Sequence, residues 1–181
     1  MININIFKPE VKQRSMKIHK SVFVAKGAVI IGDVEIGEKS SIWYNAVIRG
    51  DKKPIKIGKF SNVQDNCTIH TEFNRVKIGD YVTIGHNAVV HGAEIENNCL
   101  IGMNSVILDG ARIGKNSLIG ACCVVTENMI VPECSLVLGI PGRIIRKLEP
   151  KEVEFIKKNA IIYTKLAKKH MEGFYDKKRT S

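Results

Sequence analysis

An aliphatic side chain recurs at every sixth position through most of this chain, and this period limits the fold more than any other feature. The step lengthens to nine residues after Ile48 and after Ile69, and it shortens to five after Val90. A glycine often follows the aliphatic residue, and a small residue usually stands four positions after it. The aliphatic series is Val24, Ile30, Ile36, Ile42, Ile48, Ile57, Val63, Ile69, Ile78, Ile84, Val90, Ile95, Ile101, Ile107, Ile113, Ile119, Val125, Val131 and Val137.

A six-residue period of this kind predicts a parallel β-solenoid, in which each unit forms one short strand and one corner. Stacked coils bury the aliphatic column, and the small residue fits a crowded corner. Cys67, Cys99 and Cys123 occupy that small position, so they are predicted to be inward fillers. The repeat resembles that of hexapeptide-repeat proteins, and the resemblance implies a left-handed parallel β-helix.

The chain is predicted to form one domain with short segments on either side of the β-helix. Residues 1–20 are expected to form a lead-in or cap, and residues 21–142 the β-helix. Residues 143–172 are expected to hold a C-terminal α-helix that starts near Pro150, and residues 173–181 a disordered tail. The helical stripe is Val153, Ile156, Ala160, Tyr163 and Ala167.

Composition excludes several classes of function. The net charge of +10 lies mainly after residue 142, without the aromatic interleaving or module of a nucleic-acid binder. The chain has no apolar run of about 20 residues and no secretory signal pattern. Its five cysteines are an odd number without a CxxC pair, which argues against a disulfide framework and a thiolate zinc site. We therefore predict a cytoplasmic protein with no membrane or nucleic-acid partner.

Three units complete one triangular coil, so side chains can be assigned to faces by counting. Face one holds Ile42, Val63 and Ile84, and face two holds Ile48, Ile69 and Val90. The residues directly after the face-two column are Arg49, His70 and His91, and the second residues after the face-one column are Tyr44, Asp65 and His86. All three irregular steps fall at the corner between face two and the third face.

This arrangement predicts a metal site shared between subunits. Imidazoles about 4.8 Å apart in one column, His70 and His91, can converge on one ion with Zn–N distances of about 2.0–2.1 Å. His86 lies around a convex corner from them, so it can complete the site of a neighbour instead. This geometry predicts a cyclic oligomer in which face one of one subunit lies against face two of the next, and a homotrimer is the simplest closed assembly.

These motifs resemble the γ-class carbonic anhydrase family across about residues 15–172. The specific matches are Arg49-Gly50-Asp51, Gln64-Asp65-Asn66, His70, Gly85-His86 and His91-Gly92. The resemblance implies a homotrimer with zinc, or iron or cobalt, held by His70 and His91 of one subunit and His86 of the next. It also implies that Arg49 and Asp51 pair across the interface.

The same resemblance implies the reversible hydration of carbon dioxide to bicarbonate by a metal-bound hydroxide, which Gln64 and Asp65 orient. Two departures predict low turnover. Lys52-Lys53 replace an acidic residue after Asp51, and the loop after His70 is short, so that Glu72 is the candidate proton shuttle. Tyr163 matches a tyrosine that short-loop members place near the metal, or it faces the core.

Three alternatives stay open at this stage. A hexapeptide acyltransferase would share the solenoid but needs one catalytic histidine as general base. An acyl-thioester hydrolase would use the same metal site on a different substrate. A non-catalytic trimer would keep the metal for stability alone.

Overall fold

The computed structural model describes residues 15–175 and has the predicted architecture, a left-handed parallel β-helix followed by one α-helix. Face one consists of β2 (Phe23–Val24), β4 (Ser41–Ile42), β6 (Asn62–Val63), β9 (Thr83–Ile84), β12 (Leu100–Ile101), β15 (Leu118–Ile119) and β18 (Ser135–Leu138). Face two has β7 (Thr68–His70), β10 (Val89–His91), β13 (Val106–Ile107) and β16 (Val124–Val125). Face three has β1 (Met16–Ile18), β8 (Val76–Ile78), β11 (Glu94–Ile95), β14 (Arg112–Ile113) and β17 (Ile130–Val131). The long strands β3 (Val29–Ile36) and β5 (Val47–Ile57) run across faces two and three.

The strand register confirms the face assignment made by counting. On face one Ile42 pairs with Val63 and Val63 with Ile84. On face two Ile48 pairs with Ile69, which pairs with Val90. All of these pairs are parallel, so each aliphatic residue stacks on the equivalent residue of the next coil.

The aliphatic column forms the core over most of its length, with Ile42, Ile69 and Ile84 fully buried. Its predicted first member, Val24, is in register with Ile42 but is 42% exposed, because it lies in the first described coil at the end of the stack. In that coil Phe23 and Ala25 are buried instead, in a separate apolar cluster with Trp43 and Ala167. The column is therefore exposed at Val24, whereas its last members, Val131 and Val137, are buried.

The corner cysteines are fillers, as predicted. Cys67, Cys99 and Cys123 are all buried, and the thiol of Cys67 lies 3.0 Å from the carbonyl oxygen of Gly85. Burial raises the pKa of Cys67 and of Cys99 to about 12, which keeps both as neutral thiols. Neither sulfur is suited to bind a metal as a thiolate.

Two element boundaries differ from the predicted domain division. Residues 16–18 form β1 and pair with Val34–Ile36, so this segment belongs to the first coil rather than to a lead-in. Residues 143–147 form β19 (Arg143–Lys147), antiparallel to β18, because a turn after Leu138 sends the chain back along that strand. The rest of the predicted cap and most of the predicted tail lie outside the described residues.

The C-terminal helix α1 (Pro150–Met171) covers face one. Ile156, Ala160 and Ala167 of the predicted stripe are buried, and α1 contacts β2, β4, β6 and β9. Among the described residues no helix is both long and apolar enough to span a bilayer.

The start of α1 is held by Glu152, and this contact predicts a pH dependence. Glu152 bonds the Arg146 guanidinium at 2.7 and 2.8 Å and accepts the backbone N–H of Glu149 at 2.8 Å. These contacts lower the pKa of Glu152 to about 2. A lowered carboxyl pKa contributes stability that is complete above its ordinary value of 4.5 and is lost as the pH falls toward about 2.

We expect Glu152→Gln to lower the thermal unfolding midpoint slightly at pH 6, since an exposed ion pair contributes little. The difference from the wild type should shrink as the pH falls from 4.5 toward 2. A difference that stayed constant over this range would contradict the assigned pKa of Glu152. Glu154→Gln is the matched control, because Glu154 is exposed on the same helix and within residues 15–175 its ion pair is with Lys158 alone.

Candidate metal centre

His70 and His91 lie side by side on face two. Arg49 pairs with His70 in the register of β5 and β7, and His70 pairs with His91 in the register of β7 and β10. The two imidazole ring centres are 5.2 Å apart and the ring planes are inclined by 54°. This confirms the predicted column, and it places two imidazoles close enough to ligate one ion.

Arg49 and Asp51 flank the His70 ring. They are two residues apart on β5, so their side chains leave the same side of the strand. The Arg49 guanidinium donates to Asp51 Oδ2 at 2.5 Å, and Asp51 Oδ1 lies 3.1 Å from His70 Nε2. Burial pushes the pKa of Asp51 upward, but its hydrogen bonds with Arg49 and His70 outweigh this, and the pKa falls below its ordinary value. Within one chain the two residues therefore pair with each other, and their pairing across an interface stays a prediction.

His86 lies between β9 and β10, at the corner where face one meets face two. Its Nδ1 atom is 2.8 Å from Asp65 Oδ2, in the same corner column one coil away. The backbone N–H of His86 donates to the Gln64 side-chain oxygen at 3.2 Å. Gln64 is buried and also donates to Asn62 at 3.1 Å. Thus Gln64 fixes the position of the His86 backbone, and Asp65 contacts its ring.

Because α1 lies over strands β2, β4, β6 and β9, this part of face one cannot meet a neighbouring subunit. Trp43 and Gln64, on the outward side of face one, are buried in the single chain. The corner column stays accessible, since Tyr44 is exposed and His86 keeps 38% of its side chain exposed. If face one of one subunit packs on face two of the next, this corner is therefore the part of face one that makes the contact.

Tyr163 faces the interior of the α1 contact. Its ring packs edge-on against Trp43, with ring centres 5.4 Å apart and planes at 87°. Burial raises the pKa of Tyr163, and the negative charge of Asp65 adds to the rise. Tyr163 is therefore partly buried against the cluster of Phe23, Trp43 and Ala167, and its place near the metal stays a prediction.

Glu72 lies in the short loop of residues 71–75 between β7 and β8, half-exposed. Within residues 15–175 no hydrogen bond or ion pair joins it to His70 or His91. The structure therefore leaves the shuttle role of Glu72 a prediction.

Asp109 is a site residue that the sequence reasoning missed. Its Oδ2 atom lies 3.1 Å from His91 Nδ1, and its Oδ1 atom contacts the side-chain amide of Asn74 from the loop 71–75. The signal in the sequence was the five-residue step after Val90, which shortens the coil just above Asp109.

In the described part of a single chain, no three His, Cys, Asp or Glu side chains converge on one point. The histidines form two half-sites, His70 with His91 on face two and His86 at the corner. Neutral imidazoles are ligands that zinc accepts readily, and carboxylates lie beside each ring, as is usual around metal-binding histidines. The donor set therefore fits a divalent metal once two half-sites meet.

Comparison with known proteins shows the family to which the chain belongs. The chain is 56% identical over 151 residues to a protein of Methanocaldococcus jannaschii named a probable carbonic anhydrase, covering 83% of this chain and 95% of that protein. It is 40% identical over 143 residues to a carbonic anhydrase of Geobacillus kaustophilus, covering 78% of this chain and 79% of that one. The chain belongs to the γ-class carbonic anhydrase family.

The wider relatives of this carbonic anhydrase family share the repeat. The bacterial transferase hexapeptide family (six repeats) matches residues 15–50 and 92–127. A solved structure of a hexapeptide transferase family protein from Anaplasma phagocytophilum superposes with a TM-score of 0.82 at 36% identity, covering 84% of this chain and 90% of that chain. The fold is therefore common to proteins named for two different chemistries, and the arrangement of the histidines must decide between them.

Proposed function

We propose that this chain catalyses the reversible hydration of carbon dioxide to bicarbonate at metal centres formed between the subunits of a homotrimer. The observation that carries the proposal is the division of three histidines into two half-sites. His70 and His91 form one half-site on face two, and His86 forms the other at a corner that α1 leaves accessible. Membership of the γ-class carbonic anhydrase family supports the reaction.

A head-to-tail contact between copies would complete the site. When the corner of one subunit meets face two of the next, His86 joins His70 and His91 of its neighbour. Head-to-tail contacts make closed rings when the rotation closes, and three copies of a triangular prism are the simplest ring. Each such ring contains one complete site at every junction.

Zinc, iron or cobalt is the candidate metal for this all-imidazole ligand set. Zinc, when bound, would supply a Lewis acid that lowers the pKa of a coordinated water to about 7. The protein's own groups orient the ligands and the reactants. Asp65 holds the His86 ring, and Gln64 fixes the backbone beneath it. The family resemblance implies that Asp65 and Gln64 also orient the attacking water and the carbon dioxide. In this chain Gln64 is buried and bonded to His86 and Asn62, so its geometry supports only the role of holding His86.

Arg49 and Asp51 act on the other half-site. Asp51 contacts both the Arg49 guanidinium and the His70 ring, so it fixes the direction of that imidazole. The Arg49 charge beside the site favours the bicarbonate anion as it forms. Proton export is the weak step, because among the described residues Glu72 contacts neither His70 nor His91, and the basic pair Lys52-Lys53 follows Asp51. We expect slow turnover for this reason.

Two measurements on purified protein test the proposal. Metal analysis should give about one metal per subunit, since a trimer has as many junctions as subunits. A stopped-flow assay should show carbon dioxide hydration that is lost on chelation and restored by zinc, iron or cobalt. A native trimer that binds no metal under any of these additions would contradict the site itself. The cytoplasmic location stays a prediction from the sequence.

One observation favours a second candidate, hydrolysis of an acyl thioester. A groove of about 570 Å³ runs beside Gly92, lined by Lys53, Phe73, Arg75 and Arg112 among others. This space is larger than carbon dioxide requires. Lys53 and Arg112 give it positive charge, whereas Arg75 is paired with Glu94 of the same lining. If the protein holds metal but shows no hydration, a panel of acyl thioesters is the next assay, and metal-dependent turnover there would establish this alternative.

A further inference from the structure

Asp109 lies against His91 because of the shortened coil after Val90. The step from Val90 to Ile95 is one residue shorter than the repeat, and this tightens the corner at Gly92. Gly92 has a φ of +57°, a left-handed conformation that glycine adopts without steric cost. A Cβ atom at this position would overlap the Asp109 carboxylate. Gly92 thus leaves the space that the Asp109 carboxylate occupies beside His91.

The Asp109 carboxylate has unequal partners. The Oδ1 atom contacts the side-chain amide of Asn74, which belongs to the loop after β7. The Oδ2 atom is buried, and within residues 15–175 it makes no aligned hydrogen bond, although His91 Nδ1 lies 3.1 Å away. A buried carboxylate oxygen without a hydrogen bond is costly, and a small turn of the His91 ring would satisfy it.

An imidazole that donates Nδ1–H to a carboxylate keeps Nε2 unprotonated as a lone-pair donor. We propose that Asp109 is a positioning residue of the His70–His91 half-site, as Asp51 is for His70, and holds His91 in the Nδ1–H tautomer so that Nε2 faces the metal. Asn74 fixes the second oxygen of the same carboxylate and so ties the loop 71–75 to the ligand. The relevance to metal rests on the proposed function, but the tautomer does not.

The test is imidazole NMR of the metal-free, chelator-treated protein at about pH 8, where an ordinary histidine is neutral. Long-range nitrogen–proton spectra distinguish the two tautomers directly. The wild type should show His91 with Nδ1 protonated, and Asp109→Asn should shift it toward the Nε2–H form. Asp80→Asn is the matched control, since Asp80 accepts a backbone N–H of Lys59 at another corner. That variant should leave His91 unchanged.

Metal affinity is the second readout. Competition with a chelator should show metal binding weakened about 10- to 100-fold in Asp109→Asn and unchanged in Asp80→Asn. Wild-type His91 in the Nε2–H form would overturn the inference without any variant, and so would an unchanged tautomer in Asp109→Asn. If the predicted tautomers appear but the wild type binds no metal, the inference stands and the proposed function fails.

Discussion

Replacing His86 with alanine should reduce the metal content of the trimer from about one per subunit to near zero, because a two-histidine site lacks a protein ligand that catalytic zinc requires. The fold should survive, since 38% of the His86 side chain is exposed and its neighbours hold each other through their backbones. Elemental analysis of the purified trimer gives the metal content, and the unfolding midpoint reports on the fold.

His19→Ala is the matched control for this loss. His19 is also an accessible histidine, but its ring contacts Ser21 at 2.8 Å and lies in the first coil, away from the half-sites. Its replacement should leave the metal content unchanged. Full metal occupancy in the His86→Ala protein would show that His86 is not a ligand.

Truncating Ile84 to alanine should destabilise the protein by about 2–5 kcal/mol, the usual cost of a cavity left by a buried isoleucine. Ile84 is fully buried on face one and has a paired coil on each side, Val63 above and Ile101 below. Rigid stacked strands cannot collapse into the cavity, which favours the upper part of that range. Urea unfolding at fixed protein concentration measures the change.

Val24→Ala is the control within the same column. Val24 is in register with Ile42 but is 42% exposed, so its truncation should change the stability by no more than about 0.5 kcal/mol. Equal costs at Val24 and Ile84 would mean that burial in the column does not set the stability of this solenoid.

The fold and the histidine column could be predicted from the sequence because the length of the repeat unit is nearly constant. One strand and one corner take six residues, so counting from Ile48 places Arg49, His70 and His91 in register without any coordinates. The observed pairing follows that count. Irregular steps did not disturb it, because each insertion or deletion falls at one corner and the next strand returns to its face.

The position of α1 could not be predicted in this way. The stripe of Ile156, Ala160 and Ala167 shows that the helix packs on something, but its period says nothing about which face is the partner. The helix packs on face one because Phe23 and Trp43 lie at outward positions there and form an apolar cluster with Ala167. Large apolar residues on an outward face are a signal that counting core positions alone overlooks.

Asp109 was missed for a related reason. Counting gives the order of side chains along a column, whereas the approach of Asp109 to His91 depends on the depth of a corner shortened by one residue. The step of five residues from Val90 to Ile95 was visible in the sequence, but its effect on the position of Asp109 in the next coil was not. The repeat therefore predicts which column a side chain belongs to, but the contact between Asp109 and His91 could be found only from the coordinates.

Mixed trimers test the central claim, that each metal is shared between subunits, most directly. His70→Ala subunits lack one half-site and His86→Ala subunits lack the other, so homotrimers of either should bind almost no metal. In a ring that contains both, one junction joins an intact His70–His91 pair to an intact His86. Refolded mixtures, separated by different tags, should therefore hold about one metal per trimer. Mixed trimers as empty as both parents, beside a metal-bound wild type, would contradict a shared site.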